Sequence, residues 1–597
     1  STAGQYFPPT PELLKTVESK NYKGVKISYK EPGVCETTKG VKSYSGYVHL
    51  PPGTLNDFHL DQPDTINTFF WFFESRKDSI GAPLAIWLNG GPGSSSLTGL
   101  MQENGPCHVN PDSNSTVLNA WSWNNNVNML YIEQPVQVRF SYDVLKNGTL
   151  NQLTQTWDVS PWKDGIPKPN NIFEVGTFSS MDMSKTANTT ENAGKALWYF
   201  LQVWLAEFPE YKTHNDRVSL WTQSYGGHYG PAFAKLFQKQ NKKIANKSKD
   251  VSKHHRQIHI DTLGIINGCI DMLLQMPYFP QMAFNNSYGI QVYDREIYDK
   301  AINDYKKPGG CKELIEKCRD LASQGDPEMY GNNQTVNKAC VAANNNCRYV
   351  IEQAFYDHNH RSANDIGHFF PDPFPPQFYI GYLNQHWVQS ALGVPVNYSF
   401  AARSSYAAFQ TTGDWARDSH NGYLADIGEL LDSGVKVALL YGDRDYVCNW
   451  YGGEAVSLNI PYTRERKFRA AGYAKFQTNE SYVGGLVRQH ANFSFTRVYQ
   501  SGHEIPAYQP ETAYQIFHRA MFNRDIATGR FSTAHDLEYT TEGMGYIWDV
   551  REEMPNPPEP VCYILNLNNA CTAEQIESVV DGSAVVKDFV VVGKDSK

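Results

Sequence analysis

The stretch Val218-Ser219-Leu220-Trp221-Thr222-Gln223-Ser224-Tyr225-Gly226-Gly227-His228-Tyr229-Gly230-Pro231 carries the reading of the fold. Its apolar first part reads as a strand buried on both faces, and its small residues lead into a helix. A serine at such a junction, Ser224, sits on a tight turn above the sheet and close to a helix N-terminus. Thr222 stands where a glycine usually precedes that serine by two residues, so this stretch alone fits a structural turn as well as a nucleophile.

Comparable apolar runs lie on either side: Leu84–Leu88, Met129–Ile132, Leu263–Ile266, Val435–Tyr441 and Phe493–Val498. Ahead of them, Val41 to Phe73 holds two alternating aromatic runs divided by Pro51-Pro52-Gly53, which predicts an antiparallel hairpin at the start of the sheet. Leu197, Phe200, Leu201, Trp204, Leu205 and Phe208 recur at helical spacing, with Thr190 as the expected cap. Strands alternating with helices predict an α/β fold with a mostly parallel central sheet. From about Met272 to Gln410 the sequence turns rich in Pro, Asn and Cys, and the sheet pattern resumes at Asp426–Asp443. The expected division is a core over 1–271 and 411–538, an inserted, partly helical cap over 272–410, and a C-terminal extension over 539–597.

Two later segments join Ser224. Tyr441-Gly442-Asp443-Arg444-Asp445-Tyr446 and Ser501-Gly502-His503-Glu504 each follow a predicted strand, where open α/β sheets place their sites. The order Ser224, Asp445, His503 is that of α/β-hydrolases. There the imidazole takes the serine proton, while the carboxylate fixes its tautomer and stabilises the imidazolium. A fourth piece, Asn89-Gly90-Gly91-Pro92-Gly93-Ser94, also follows a strand. Its glycines let backbone N–H groups approach a developing oxyanion, and it lacks the lysine of a nucleotide-binding loop.

Together, WLNGGPGSSS, Glu103-Asn104-Gly105-Pro106, QSYGGHYGP, YGDRDYVCNW and SGHEIP resemble the serine carboxypeptidases, an α/β-hydrolase branch of secreted and vacuolar exopeptidases. Ser94, where many members have Cys, and Gln134-Pro135-Val136-Gln137-Val138 look like the fungal S1-type subgroup. The resemblance runs from about Val41 to Pro510. It implies Ser224 as nucleophile, His503 as base and acid, and Asp445 rather than Asp443 as third member, with the N–H groups of Gly91 and Tyr225 as oxyanion hole. It implies that Asn89, Gly90, Glu103 and Gln223 hold the free C-terminal carboxylate of a peptide substrate, and that Thr98, Gln102 and Glu504 line the pocket for the departing residue. It implies neither a metal nor an organic cofactor, a free thiol at Cys448 near the site, and nested disulfides Cys311–Cys347 and Cys318–Cys340.

Two positions depart from the family pattern. Gln223 stands where the family has Glu; a carboxyl donates to a carboxylate only when protonated, whereas an amide donates at every pH. The expectation is that carboxylate recognition persists with less of the family's acid preference. Arg139 replaces a Gly and lies either on the surface or in the cleft. If these departures destroy carboxylate recognition, the same triad makes an esterase or amidase; a hydrolase-like binding protein without activity is the rival from another class.

Composition agrees with a large soluble enzyme. The 597 residues, 41% hydrophobic and 13% aromatic, suffice for a large core and exclude disordered and fibrous classes. With 53 Lys+Arg against 62 Asp+Glu the net charge is −9, which argues against nucleic acid as partner, and the one basic run, Lys239 to Arg256, reads as a solvated loop. No stretch approaches the ~18 uninterrupted apolar residues of a membrane span. Four of the ten cysteines form Cys311/Cys318 and Cys340/Cys347, spaced more widely than usual zinc ligands and suited to a disulfide-stapled loop. Sequons occur at Asn114, Asn147, Asn188, Asn246, Asn285, Asn333, Asn397, Asn479 and Asn492. Both features favour the secretory pathway, with an extracellular or vacuolar destination. The opening Ser1-Thr2-Ala3-Gly4-Gln5, without a basic-then-apolar leader, suggests a mature form.

Overall fold

The computed structural model describes residues 6–159, 162–400, 403–534 and 536–595. The opening five residues, on which the mature-form expectation rests, lie outside them.

One twelve-stranded sheet organises the chain. Its strands are β1 (Lys15–Glu18), β2 (Lys26–Lys30), β3 (Ser43–Leu50), β4 (Ile66–Phe73), β5 (Leu84–Leu88), β6 (Asn128–Ile132), β7 (Val218–Gln223), β8 (Ile260–Ile266), β11 (Lys436–Gly442), β12 (Ala474–Gln477), β13 (Val483–His490) and β14 (Phe493–Val498), with a separate hairpin of β9 (Arg361–Ser362) and β10 (Asp365–Phe369). The order across the sheet is β1-β2-β3-β4-β6-β5-β7-β8-β11-β14-β13-β12. From β6 to β14 the strands run parallel; the outer ones on both sides are antiparallel. The hairpin expected over 41–73 is β3–β4, but it does not open the sheet, because β1 and β2 pair ahead of it. Those two strands are short, β1 mostly exposed and β2 buried at Ile27, Ser28 and Tyr29 only, so their sequence carries little apolar signal.

The apolar runs are continuous because both faces are covered. In β5, Leu84, Ile86 and Leu88 enter one core and Ala85 and Trp87 the other. Helices α1 (Thr190–Glu207), α2 (Gly226–Ala245) and α6 (Tyr423–Asp432) bury residues in the first core, and α7 (Pro510–Met521) in the second. The cap of α1 is Thr189, whose hydroxyl accepts from Asn192 N at 3.2 Å; the expected cap, Thr190, is spent on Asp414, donating its N–H and hydroxyl at 3.0 and 2.6 Å. The basic run is not wholly a loop, since residues 239–245 form the last turns of α2.

Between β8 and β11 the chain leaves the sheet and forms α3 (Arg295–Lys306), α4 (Cys311–Gly325), α5 (Gln334–Asn346) and the β9–β10 hairpin. The disulfides Cys311–Cys347 and Cys318–Cys340 are nested as the resemblance implied. Beyond Tyr539 a third local bridge, Cys562–Cys571, closes a short loop, and Tyr563 accepts from Gly381 N at 3.0 Å, which ties the tail to the segment between β8 and β11.

Candidate active site

Ser224 directly follows β7 at φ +61°, a left-handed conformation that few side chains adopt without reason. Helix α2 starts two residues later, so the backbone reverses between strand and helix with the hydroxyl at the bend. The close packing rests on Gly226, where a Cβ would come within 2.5 Å of the Thr222 Cβ. That space is why Thr222 is tolerated where a glycine is usual, and its hydroxyl binds Gly226 O at 2.7 Å. The loop after β5 presses on the same bend: a Cβ on Gly90 would lie 2.4 Å from Tyr225 N. Gly91, at φ +108°, follows directly.

The acid and base leave the carboxyl ends of β11 and β14. His503 Nδ1 lies 2.7 Å from Asp445 Oδ2. The fully buried Asp445 also accepts from Val447 N at 3.0 Å, Cys448 N at 3.2 Å and Asn267 Nδ2 at 3.0 Å, so both oxygens are fixed. Burial pulls the imidazole pKa down, but the charge and hydrogen bond of Asp445, with Glu504 behind, leave it raised. Asp443 is otherwise engaged, with Arg497 at 3.1 Å and the Tyr288 hydroxyl at 2.6 Å. Cys448 corrects an expectation: it is no free thiol but is bonded to Cys269, and none of the ten cysteines is free. The bridge joins the loop after β8, whose Cys269 N donates to Ser224 O at 3.0 Å, to the loop that carries Asp445.

Beneath the bend runs a chain of hydrogen bonds with one direction. Trp87 Nε1–H and Gly99 N–H, which can only donate, both bind Asn89 Oδ1, at 2.6 and 3.1 Å. The Asn89 amide nitrogen therefore faces Gln223 Oε1 at 3.0 Å, and Gln223 Nε2 donates to Glu103 Oε1 at 2.5 Å. Glu103 Oε2 is buried with no hydrogen-bond partner among the described residues. Burial, aided by the nearby Glu504, pushes the Glu103 carboxyl well above its usual range, only partly offset by the amides of Gln223 and Asn89. A neutral, protonated Glu103 offers an O–H beside the amides, which is what a carboxylate ligand requires.

Of Thr98, Gln102 and Glu504, expected to line one pocket, two meet directly: Gln102 Nε2 donates to Glu504 Oε2 at 2.6 Å. Thr98 instead shares a 2.9 Å bond with the Tyr379 hydroxyl. Burial raises Glu504 to about 7, against the opposing charge of His503. Arg139 lies largely buried under Phe400, donating to its carbonyl at 3.2 Å with the ring 5.6 Å away, and its charge partly offsets the burial that raises Glu133 to about 7. Aromatic residues near Tyr225 escaped the sequence reading: Trp415 packs 4.7 Å from its ring and Arg348 lies over Trp415 at 5.0 Å. They come from two separate segments, Cys347–Glu352 and Asp414–Ala416, neither of which carries a motif.

The sequons divide by exposure. Asn114, Asn147, Asn246, Asn285 and Asn479 are exposed, and Asn333 and Asn397 half-buried. Asn492 is half-buried, and its amide nitrogen donates inward to Leu431 O and Val435 O at 3.0 and 2.9 Å. Asn188 is likewise turned inward, to Gly331 O at 3.3 Å.

A mostly parallel sheet with Ser224, Asp445 and His503 just past the carboxyl ends of β7, β11 and β14, in that chain order, defines an α/β-hydrolase. Within that class the chain belongs to the serine carboxypeptidase family, which it matches over residues 32–523. It is 52% identical over 595 residues to carboxypeptidase S1 homolog A of Arthroderma otae, covering 99% of this chain and 90% of the relative. It is 44% identical to a carboxypeptidase Y homolog of Arthroderma benhamiae, covering 98% and 92%. Among solved structures, a prohormone-processing carboxypeptidase of Saccharomyces cerevisiae, Kex1, shares the fold with a TM-score of 0.57 at 20% identity, over 80% of this chain and 91% of that one. The chain is thus a serine-type carboxypeptidase, a hydrolase acting on peptides. Among the described residues no helix is long and apolar enough to cross a membrane.

Proposed function

We propose that this carboxypeptidase releases one C-terminal residue at a time through an acyl-enzyme on Ser224. His503 removes the hydroxyl proton as Oγ attacks the scissile carbonyl, and Asp445 holds the imidazole and stabilises its charge. The N–H groups of Gly91 and Tyr225 receive the oxyanion. His503 then gives its proton to the leaving amine as the C–N bond breaks, and water, activated by the same imidazole, frees the acyl group and restores Ser224. The substrate carboxylate is taken by Asn89, Gly90, Gln223 and protonated Glu103, the departing side chain by Thr98, Gln102 and Glu504. The segment 272–410 acts as a cap over the peptide end, and the five disulfides and exposed sequons support an extracellular or vacuolar destination.

The observation that carries this reading is the one-way chain from Trp87 to Glu103 beside the Asp445–His503 pair. A fluorophosphonate probe should label Ser224 stoichiometrically, and an N-blocked peptide should lose single C-terminal residues in mass spectra. Absence of both from wild-type protein, or their persistence in Ser224→Ala, would refute the assignment.

A further inference from the structure

The β9–β10 hairpin belongs to the segment between β8 and β11, yet its turn touches the residues around both the acid and the base. Asn364 O accepts from His503 N at 2.8 Å, Ala363 O from Tyr446 N at 3.0 Å, and Ile366 N donates to Arg444 O at 2.9 Å. The approach is close: a Cβ on Gly502 would lie 2.4 Å from Asn364 O. Side chains repeat the connection. Arg444, immediately before Asp445, donates Nη2 to Asp365 Oδ2 at 2.9 Å and Nη1 to Gln500 Oε1 at 2.8 Å, so one guanidinium spans the hairpin, the acid loop and the base loop. Both charges are buried, and the guanidinium lies over the rings of Tyr288 and Tyr508, 5.6 and 5.8 Å from their centres.

We propose that the turn Ala363–Ile366 and the Arg444–Asp365 pair form a positioning frame for Asp445 and His503, which makes this part of the insertion a fixed member of the catalytic apparatus and not a moving lid. A planar, two-armed donor fixes an angle between two loops, which a single ammonium cannot. Main-chain bonds to residues 444, 446 and 503 set the height of both loops, and the ion pair sets their mutual orientation. The hairpin cannot lift away on its own, because lifting it would break three bonds beside the triad. Arg444 therefore acts as a positioning residue, through Asp445 and His503, and touches no substrate.

The inference rests on the triad proposed above, and its test separates the two. Arg444→Gln, Arg444→Lys, Asp365→Asn, the double variant Arg444→Gln/Asp365→Asn and Ser224→Ala are titrated with the fluorophosphonate, and kcat per labelled site and KM are measured on an N-blocked dipeptide. The double variant guards against misfolding from a stranded buried charge. Displacement of the loops should lower kcat per labelled site about 10–100-fold in Arg444→Gln, with KM within about twofold. Arg444→Lys should fall between, since it keeps the charge and one arm. If labelled sites are merely fewer, or kcat per site stays within about twofold of wild type in Arg444→Gln and the double variant, the pair is only structural and the frame is overturned. Activity surviving in Ser224→Ala would instead overturn the triad itself, and with it the frame.

Discussion

Replacing Gln223 by Glu restores the family's residue and tests why its absence matters. The present contact of Gln223 Nε2 with Glu103 Oε1 is 2.5 Å, and Asn89 already donates to the other arm of Gln223. A carboxylate there would face Glu103 with charge centres roughly 4 Å apart, a repulsion of about 4 kcal/mol at an effective dielectric constant of about 20. Two carboxyls and a substrate carboxylate need two protons between them, whereas Gln223 and Glu103 need one. Gln223→Glu should therefore bind free-acid peptides as tightly as wild type in acid and lose them sooner and more steeply as pH rises. The expected fall in kcat/KM in the variant is about tenfold per pH unit once the first carboxyl ionises and approaches about 100-fold per unit only past the second ionisation, which the repulsion delays by about three pH units, against about tenfold throughout for wild type. The assay is kcat/KM against pH on an N-blocked dipeptide, with its amide reporting the triad alone. Superimposable alkaline limbs for the two proteins would refute the reasoning.

Glu504 contributes to the raised pKa of His503, so Glu504→Gln should move the acid limb of kcat/KM to lower pH on the amide substrate; an unmoved or raised limb would contradict it. Because Cys448 is bonded to Cys269, mercurials should leave activity intact and thiol titration of the unreduced, denatured chain should find none. Replacing both by Ser should cost about 2–5 kcal/mol in denaturant unfolding, a bridge of this span constraining the unfolded chain strongly. Buried Glu103 and Glu133, the latter near 7, bind protons more tightly folded than unfolded. Their stabilising contribution is complete below the unfolded carboxyl pKa, about 4.3, and is lost as pH rises through their folded values. The Tm should accordingly fall from pH 5 to 8, and fall less in Glu133→Gln.

The central strands and the position of Ser224, Asp445 and His503 past strand ends were legible because each rests on local text: a doubly covered strand must be apolar throughout, and its polar successor lies at the carboxyl edge. The bond between Cys269 and Cys448 was not, since a separation of 179 residues leaves no local trace and the family resemblance pointed to a free thiol. Thr190 misled as a cap because Thr189 offers the same hydroxyl one residue earlier, and only the tertiary partner Asp414 distinguishes them. Asn492 satisfies the sequon rule, and no tripeptide records that its amide bonds inward. Arg444 and Asp365 lie 79 residues apart, and neither stands in a pattern that marks it as a partner of the other.

The central claim is that this site still reads a free C-terminal carboxylate despite Gln223. The direct measurement is kcat/KM at about pH 5 for one N-blocked dipeptide as free acid and as amide, in wild type and in Ser224→Ala. With several charge-assisted hydrogen bonds at stake, the account predicts a preference of about 100-fold for the free acid, abolished with all turnover in Ser224→Ala. Equal rates on acid and amide would show that the chain from Trp87 to Glu103 holds no carboxylate, and would turn the site into an esterase or amidase.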